Sequence, residues 1–369
     1  MNTDHRYSRH LALPGFTQVH QQRLFDSEVA IVGCGGLGTP VALYLAAAGV
    51  GSIKLIDHDT VSLSNLQRQV IYTEADIGQS KVAVMAKRLL ERNSACKVEV
   101  CKEAINSANA MGILKDADVI LDCCDNFSTR YLLCDVSLKL KIPVVYGAIH
   151  QFEGQVAVFN AKRDINYRDM HILPPNPGSV ENCELGGVLG TLAGIIGSMQ
   201  ASEALKLLTE IGEILDGKLC YFDAISNRTH LFEITPNPNN YHRKENADKI
   251  ELIDYDLFCG TEKTKLNNMN EISVQELKSM MDSQDDFQLI DVREPFEFDE
   301  INLGALLIPM NRIPDRVIEI SRDKKVVVHC KAGSRSANVI QYLETQHGYT
   351  NLSNLRGGIM AWQQAFGNP

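Results

Sequence analysis

The chain has 369 residues, 44% hydrophobic and 22% charged, with a formal net charge of −10. That is more than one typical core holds and suits two or three domains of a soluble globular protein. The acidic balance excludes a basic nucleic-acid footprint, so no nucleic-acid partner is expected.

Ten cysteines (Cys34, Cys96, Cys101, Cys123, Cys124, Cys134, Cys183, Cys220, Cys259 and Cys330) are scattered without a C-x-x-C pair. This usage suits a reducing cytoplasm better than a disulfide framework. The opening MNTDHRYSRH has no apolar h-region, so no signal peptide is expected. On composition alone, Arg6 and Arg9 belong to a solvated arm.

Val29–Val32 is a β-branched run that reads as a buried strand. Gly33, Gly35, Gly36 and Gly38 then form a turn, a helix starts near Pro40, and a second strand, Ser52–Ile56, ends on Asp57. Gly33, Gly35 and Gly38 have the G-x-G-x-x-G spacing, and Asp57 lies 24 residues beyond Gly33, where an acid binds ribose hydroxyls. Glycines let a phosphate approach the backbone, and the helix N-terminus offers it free N–H groups. The motif says nucleotide, with dinucleotide and ATP both open.

The polar stretch TVSLSNLQRQV (60–70) lies beyond the second strand's carboxyl end, which places Arg68 to reach a phosphate. Lys81 falls in the first turn of a helix over Gly78–Leu90, a poor place for a cation unless an anion is near. The apolar run Asp118–Leu121 leads into Asp122-Cys123-Cys124-Asp125-Asn126. There Asp125 is either a Mg²⁺ ligand or the cap of a helix starting near Thr129. Pro143–Tyr146 reads as a strand, Phe152–Phe159 as an antiparallel strand, and 160–184 as a long Pro- and Asn-rich loop holding Cys183. Leu185–Ser202 is 18 residues without a charge, yet it lacks flanking basic clusters and runs into Glu203. It reads as a close-packed buried helix rather than a membrane span.

Lys218–Thr235 gives two short strands, and 241–270 reads as linker between a domain over 1–240 and another over 271–369. In the second, Ile272–Met281 reads as a helix after Ser273. Val326–His329 is a strand running into Cys330-Lys331-Ala332-Gly333-Ser334-Arg335. A thiol in a loop of inward N–H groups, beside Arg335 and at a helix N-terminus, is in surroundings suited to a reactive thiolate. A phosphate cradle needs C-x5-R. The spacing here is C-x4-R, and the smaller ring suits sulfur carried on Cys330 as a persulfide.

Asp291-Val292-Arg293-Glu294, the Cys330 loop, Leu355-Arg356-Gly357-Gly358 and Trp362 together resemble the rhodanese family over roughly residues 270–367. The family's G-H-I segment appears here as Asn302-Leu303-Gly304, a departure that touches packing more than chemistry. The order GCGGLG, Asp57, NLQRQ, DCCDN resembles the MoeB/ThiF adenylyltransferases, relatives of ubiquitin-activating enzymes, over most of residues 5–235.

The joint resemblance implies an α/β protein, a Rossmann-like ATP-binding adenylation domain followed by a small α/β rhodanese domain. It implies ATP and Mg²⁺ as cofactors, and as partner a ubiquitin-like sulfur-carrier protein with a C-terminal Gly-Gly. An upstream sulfur donor, a homodimer, a cytoplasmic location and no membrane association are also implied. Asp57 and Asn65 would hold the nucleotide with the glycine loop, Arg68 and Lys81 the phosphates, Asp125 the Mg²⁺, and Arg9 would reach across the dimer. The last role reverses the arm reading. Cys183 would take part in sulfur transfer or be structural.

Members usually carry two C-x-x-C pairs for zinc. Asn166, Asp169, Asn240 and Arg243 stand there instead, so no zinc is expected. The pathway served stays open among molybdopterin, thiamine, cysteine, thiolated-tRNA and siderophore-type routes. An NAD-dependent oxidoreductase and a non-catalytic scaffold for ubiquitin-like proteins are the rival readings. Neither explains Arg68, Lys81 and Asp125 together with a persulfide loop.

Overall fold

A computed structural model of the chain describes residues 3–175, 187–259 and 270–367. The chain divides into two compact units, the first ending at Tyr255 and the second beginning at Asp256.

The first unit is built on strands β1 (Glu28–Val32), β2 (Ser52–Ile56), β3 (Lys97–Cys101), β4 (Val119–Asp122), β5 (Val144–His150), β6 (Glu153–Phe159), β7 (Lys218–Asp223) and β8 (Arg228–Glu233). They form one sheet in the order β3-β2-β1-β4-β5-β6-β7-β8. Strands β1 to β5 are parallel, and β5 to β8 run antiparallel to their neighbours. β1 and β4 are central and buried along nearly their whole length, which is why both read as unbroken apolar runs. The strand order reverses between β1 and β4. The carboxyl ends of those two strands open the crevice where sheets of this kind bind ligands.

The uncharged glycine-rich segment forms the helix Gly190–Thr209, packed against both the sheet and the helix Gly38–Ala48. A Cβ on Gly197 would run into Pro40 and the carbonyl of Leu37, and one on Gly154 into Ile196. The missing side chains thus set how closely helix, helix and sheet approach. No helix among the described residues is long and apolar enough to cross a membrane.

The first part of the segment read as linker is not free chain. Ala247 and Ile250 bury with Leu138 of the helix Phe127–Leu140, and Lys139 donates to the carbonyl of Ile250 at 2.7 Å. Tyr255 donates its hydroxyl to the buried Asp135 at 2.6 Å. Its few apolar residues, lacking any period, gave no sign of this packing.

The second unit holds β9 (Glu271–Ile272), β10 (Phe287–Asp291), β11 (Leu306–Leu307), β12 (Lys325–His329) and β13 (Leu352–Leu355) in the parallel order β11-β10-β12-β13-β9. Alternation along the central β12 feeds two cores. Val326 and Val328 pack with Ile290, Ile340 and Leu343, and Val327 packs with Leu277, Ile359 and Trp362. Ser273 caps the helix Val274–Asp282 through a reciprocal box with Glu276. Leu303 of the departing segment is buried in the second of these cores.

Candidate active sites

The glycine turn follows β1 directly and opens into a cavity of about 350 Å³ at the carboxyl edge of the sheet. Gly33 has φ +96°, and a Cβ there would lie 2.6 Å from the carbonyl oxygen of Cys123. A Cβ on Gly38 would collide with the carbonyl of Gly33. These two glycines are needed by the backbone. At Gly35 a Cβ would meet only Gln69 Nε2, at an ordinary 3.5 Å, and at Gly36 Ala193 at 3.1 Å. Gly35 and Gly36 both line the cavity; a side chain on Gly35 would occupy its space, while one on Gly36 would also press on Ala193 of the neighbouring helix.

Asp57, Asn65, Arg68, Lys81 and Asp125 line the same cavity. The Asp57 carboxylate accepts the backbone N–H of Cys34 at 2.7 Å and of Asp59 at 2.8 Å, fixing it against the glycine turn. Asn65 accepts from the N–H of Ser62, and Arg68 donates to the carbonyl of Ser64 at 3.2 Å. The anion that Lys81 answers within the chain is Asp59: Lys81 Nζ donates to Asp59 Oδ2 at 2.8 Å. Burial works against ionisation of Asp59, but the hydrogen bond and charge of Lys81 hold its carboxyl below its ordinary value.

Asp125 is exposed at the cavity, and it is Asn126 that caps the following helix, accepting the N–H of Thr129 at 2.8 Å. The Asp125 carboxylate is therefore not used as a cap. Arg9 sits exposed on the short helix Ser8–Leu11 and does not line the cavity of its own chain. Cys183 lies outside the described residues.

Sequence reasoning passed over Arg130 and Gln200. Arg130 also lines the cavity, donates to the carbonyl of Cys124 at 3.1 Å and lies over the ring of Tyr146 at 5.3 Å. Its position one turn into the helix after Asp125-Asn126 was the available signal. Gln200 reaches from the glycine-rich helix to donate to the carbonyls of Asp122 (2.7 Å) and Val145 (3.2 Å), tying the end of β4 to the first part of β5. No local signal marks it. Cys123 and Cys124 line the cavity as protonated thiols, pushed up by burial first and by Asp122 second.

The residues at the family's zinc positions do come together. Arg243 forks onto Asp169 with bonds of 2.7 and 2.9 Å, Asn240 donates to Asn166 at 3.0 Å, and Asp169 also accepts the N–H groups of Asn166 and Asn237. One carboxylate, two amides and a guanidinium already bonded to one another do not fit a tetrahedral thiolate site. Alongside, Arg168 forks onto Asp135 at 3.0 and 2.7 Å, with both side chains buried.

In the second unit Cys330 is fully buried at the end of β12. Its sulfur accepts the N–H of Gly333 at 3.1 Å, with Ser336 Oγ at 3.5 Å. Gly333 has φ +97°, which turns the loop into the helix Ser334–His347. The Gly357-Gly358 turn backs the loop from outside: Ile359 and Met360 donate N–H groups to the carbonyls of Cys330 and Lys331 at 2.9 and 3.0 Å. Arg335 is not free beside the thiol but forks onto Glu297 at 2.7 and 2.8 Å.

The first unit is thus a nucleotide-binding α/β domain with an anion-handling cavity, and the second is a small α/β domain that cradles a thiol. The chain belongs to the ThiF family, whose model matches residues 7–244, and the rhodanese-like domain model matches residues 273–365. It is 39% identical to the probable adenylyltransferase/sulfurtransferase MoeZ of Mycobacterium tuberculosis, over 97% of this chain and 92% of that protein. It is also 39% identical to the adenylyltransferase and sulfurtransferase MOCS3-1 of Drosophila pseudoobscura pseudoobscura, over 97% of this chain and 82% of that one. A crystal structure of E. coli MccB with ATP superposes with a TM-score of 0.56 at 22% identity, covering 64% of this chain and 73% of that one, a likeness of fold. The chain is an enzyme of the adenylyltransferase/sulfurtransferase class, and ATP is the adenylyl source of that class.

Proposed function

We propose that the first unit adenylates the C-terminal Gly-Gly carboxylate of a ubiquitin-like sulfur-carrier protein, and that Cys330 then delivers sulfur to it as a persulfide. The single observation that carries the reading is the convergence of Gly35, Asp57, Arg68, Lys81 and Asp125 on one cavity, in a chain that also cradles a buried thiol. A carboxylate attacking an α-phosphate is anion meeting anion, so cations aimed at the phosphoryl group are the main need, and no strong base is required. Asp57 holds the ribose, Asn65 steadies the loop that carries Arg68, and Arg68 and Lys81 bind phosphate oxygens, with Lys81 released from Asp59 as ATP enters. Asp125 is the carboxylate for Mg²⁺, which would shield phosphate charge there.

Arg9 serves the cavity of a second copy in a homodimer. Sulfur attack on the acyl carbon expels AMP and leaves an acyl persulfide on Cys330. Releasing the thiocarboxylate then needs a second thiol to take up the Cys330 sulfur as a disulfide, the role assigned to Cys183. An external dithiol reductant then cleaves that disulfide, leaving both cysteines as thiols and itself a disulfide, and an upstream sulfane donor reloads the Cys330 thiolate. The adenylation module spans 1–240 with its packed extension, and the sulfurtransferase module 271–369. The enzyme works in the cytoplasm and binds no zinc, its bonded Asn166, Asp169, Asn240 and Arg243 cluster standing in for the metal.

The deciding experiment is carrier-dependent ATP–pyrophosphate exchange. Asp125→Ala and Arg68→Ala should each lower it by at least about 10²-fold, with the carrier gaining one sulfur only in the unmodified enzyme. Exchange that persists in both variants sinks the assignment.

A further inference from the structure

The C-x4-R loop carries its guanidinium where an anion cradle would offer it to a ligand. In this chain that charge is already engaged. Arg335 donates from Nη1 to Glu297 Oε2 at 2.7 Å and from Nη2 to Glu297 Oε1 at 2.8 Å, with both side chains 15% exposed. Its Nε is buried without a partner.

Glu297 is held in turn. Its carboxylate accepts the N–H of Glu294 at 3.0 Å, and its carbonyl accepts Arg293, itself locked on Asp291. Burial pulls the Arg335 pKa down, but Glu297 first, then Cys330 and Glu294, hold it above its ordinary value, so the pair stays ionised. What the Cys330 sulfur receives directly is one backbone N–H and a hydroxyl, a setting for a single sulfur atom rather than for an oxyanion.

We propose that Glu297 is a specificity-determining positioning residue: by cancelling Arg335 it makes the Cys330 pocket disfavour dianionic sulfur donors and favour donors of low charge, such as a protein persulfide. This rests on the reading that Cys330 accepts sulfur. In that step the Cys330 thiolate attacks the outer donor sulfur, the donor S–S bond breaks, and its electron pair leaves on the donor remnant. That remnant is sulfite from thiosulfate, a sulfinate from a thiosulfonate or a thiolate from a persulfide. Cys330 is left as the persulfide and no oxidant is consumed.

The test is steady-state sulfur transfer to cyanide by the full chain, with thiosulfate (a dianion) and benzenethiosulfonate (a monoanion) as donors. Glu297→Gln frees the guanidinium and should lower the thiosulfate KM roughly three- to tenfold, the size of one partly screened charge. The benzenethiosulfonate KM should fall less, and added salt should remove the gain. Glu297→Asp keeps the carboxylate and should keep the parental ratio of the two donors. The double variant Glu297→Gln/Arg335→Gln should return to that ratio, and it decides the matter even if the single variant does not fold. An unchanged or falling ratio in Glu297→Gln, or a double variant that discriminates against thiosulfate more than the parent, overturns the proposal. Sulfur transfer from either donor that survives in Cys330→Ala overturns instead the assignment of Cys330.

Discussion

The nucleotide cavity and the thiol loop are built from the same local unit, a buried parallel strand, a turn containing a positive-φ glycine, and a helix. Gly33 after β1 and Gly333 after β12 hold the same kind of place. Beyond that they differ. The cavity is about 350 Å³; among its lining cations Arg68 donates to the carbonyl of Ser64, and the buried Lys81 pairs with the exposed Asp59. The loop encloses one sulfur atom, and its cation is neutralised before any ligand arrives. A site for a triphosphate needs cations that the ligand can claim, whereas a site for one thiolate or persulfide sulfur is served by hydrogen-bond donors and exclusion of water.

The largest effects should come from separating the two sites. Cys330→Ala removes the sulfur carrier atom and should abolish sulfurtransfer, by more than about 10³-fold, with carrier-dependent exchange within twofold of the parent. Loss of exchange in that variant would show that the two sites are not chemically independent.

The next test divides the glycine turn itself. Gly33→Ala puts a Cβ against Cys123 at a positive φ and should destabilise the first unit by about 2–4 kcal/mol, read as a lowered denaturation midpoint. Gly35→Leu should leave the midpoint within about 1 kcal/mol while depressing exchange at least tenfold, since the space it fills belongs to the ligand. Equal damage to folding from both would contradict the division between backbone and clearance glycines.

The bonded cluster at the zinc positions comes third. Asp169→Ala strands Arg243 in a largely buried place and should cost roughly 3–5 kcal/mol in urea denaturation. A strong chelator should leave the unmodified enzyme's midpoint where it is. A chelator-induced drop, or one equivalent of tightly held zinc in purified protein, would contradict this cluster's role.

The smallest expected effect is a pH slope. Burial, with Arg168 also against protonation, takes His242 from 6.5 down to about 4 although Asp135 pulls the other way. Because the unfolded chain binds this proton first, the stability is complete above about pH 6.5 and is lost as pH falls towards 4, on the order of 2–3 kcal/mol. His242→Gln should flatten that part of the stability–pH curve, measured between pH 7 and 4.5.

Most of the elements that position the sites were legible because their signals are local. β2 runs Ser52–Ile56 as read and the motif residues stand at strand ends, whereas the helix read over Ile272–Met281 begins only at Val274, because Glu271–Ile272 pair with β13 as β9. Asp125 could be read two ways, and only the neighbouring Asn126, seen accepting from Thr129, freed it from the cap. The expectation for Lys81 had the right sign but could not name Asp59, because the pairing depends on how two loops meet.

By itself the sequence determined the α/β class, the two modules, the glycine turn with Asp57, Arg68 and Lys81 as its candidate partners, and the thiol of Cys330. Each of these is written in spacing or in composition along a continuous stretch. Tertiary structure alone decided that Arg130 and Gln200 back the cavity and that 243–255 pack on the first unit. It alone decided that Asn166, Asp169, Asn240 and Arg243 close on one another, and that Arg335 faces Glu297. Those outcomes are partnerships between residues far apart in the chain. No period or motif encodes which buried charge finds which counter-charge, because burial penalises the unpaired group only once the fold has brought the candidates together.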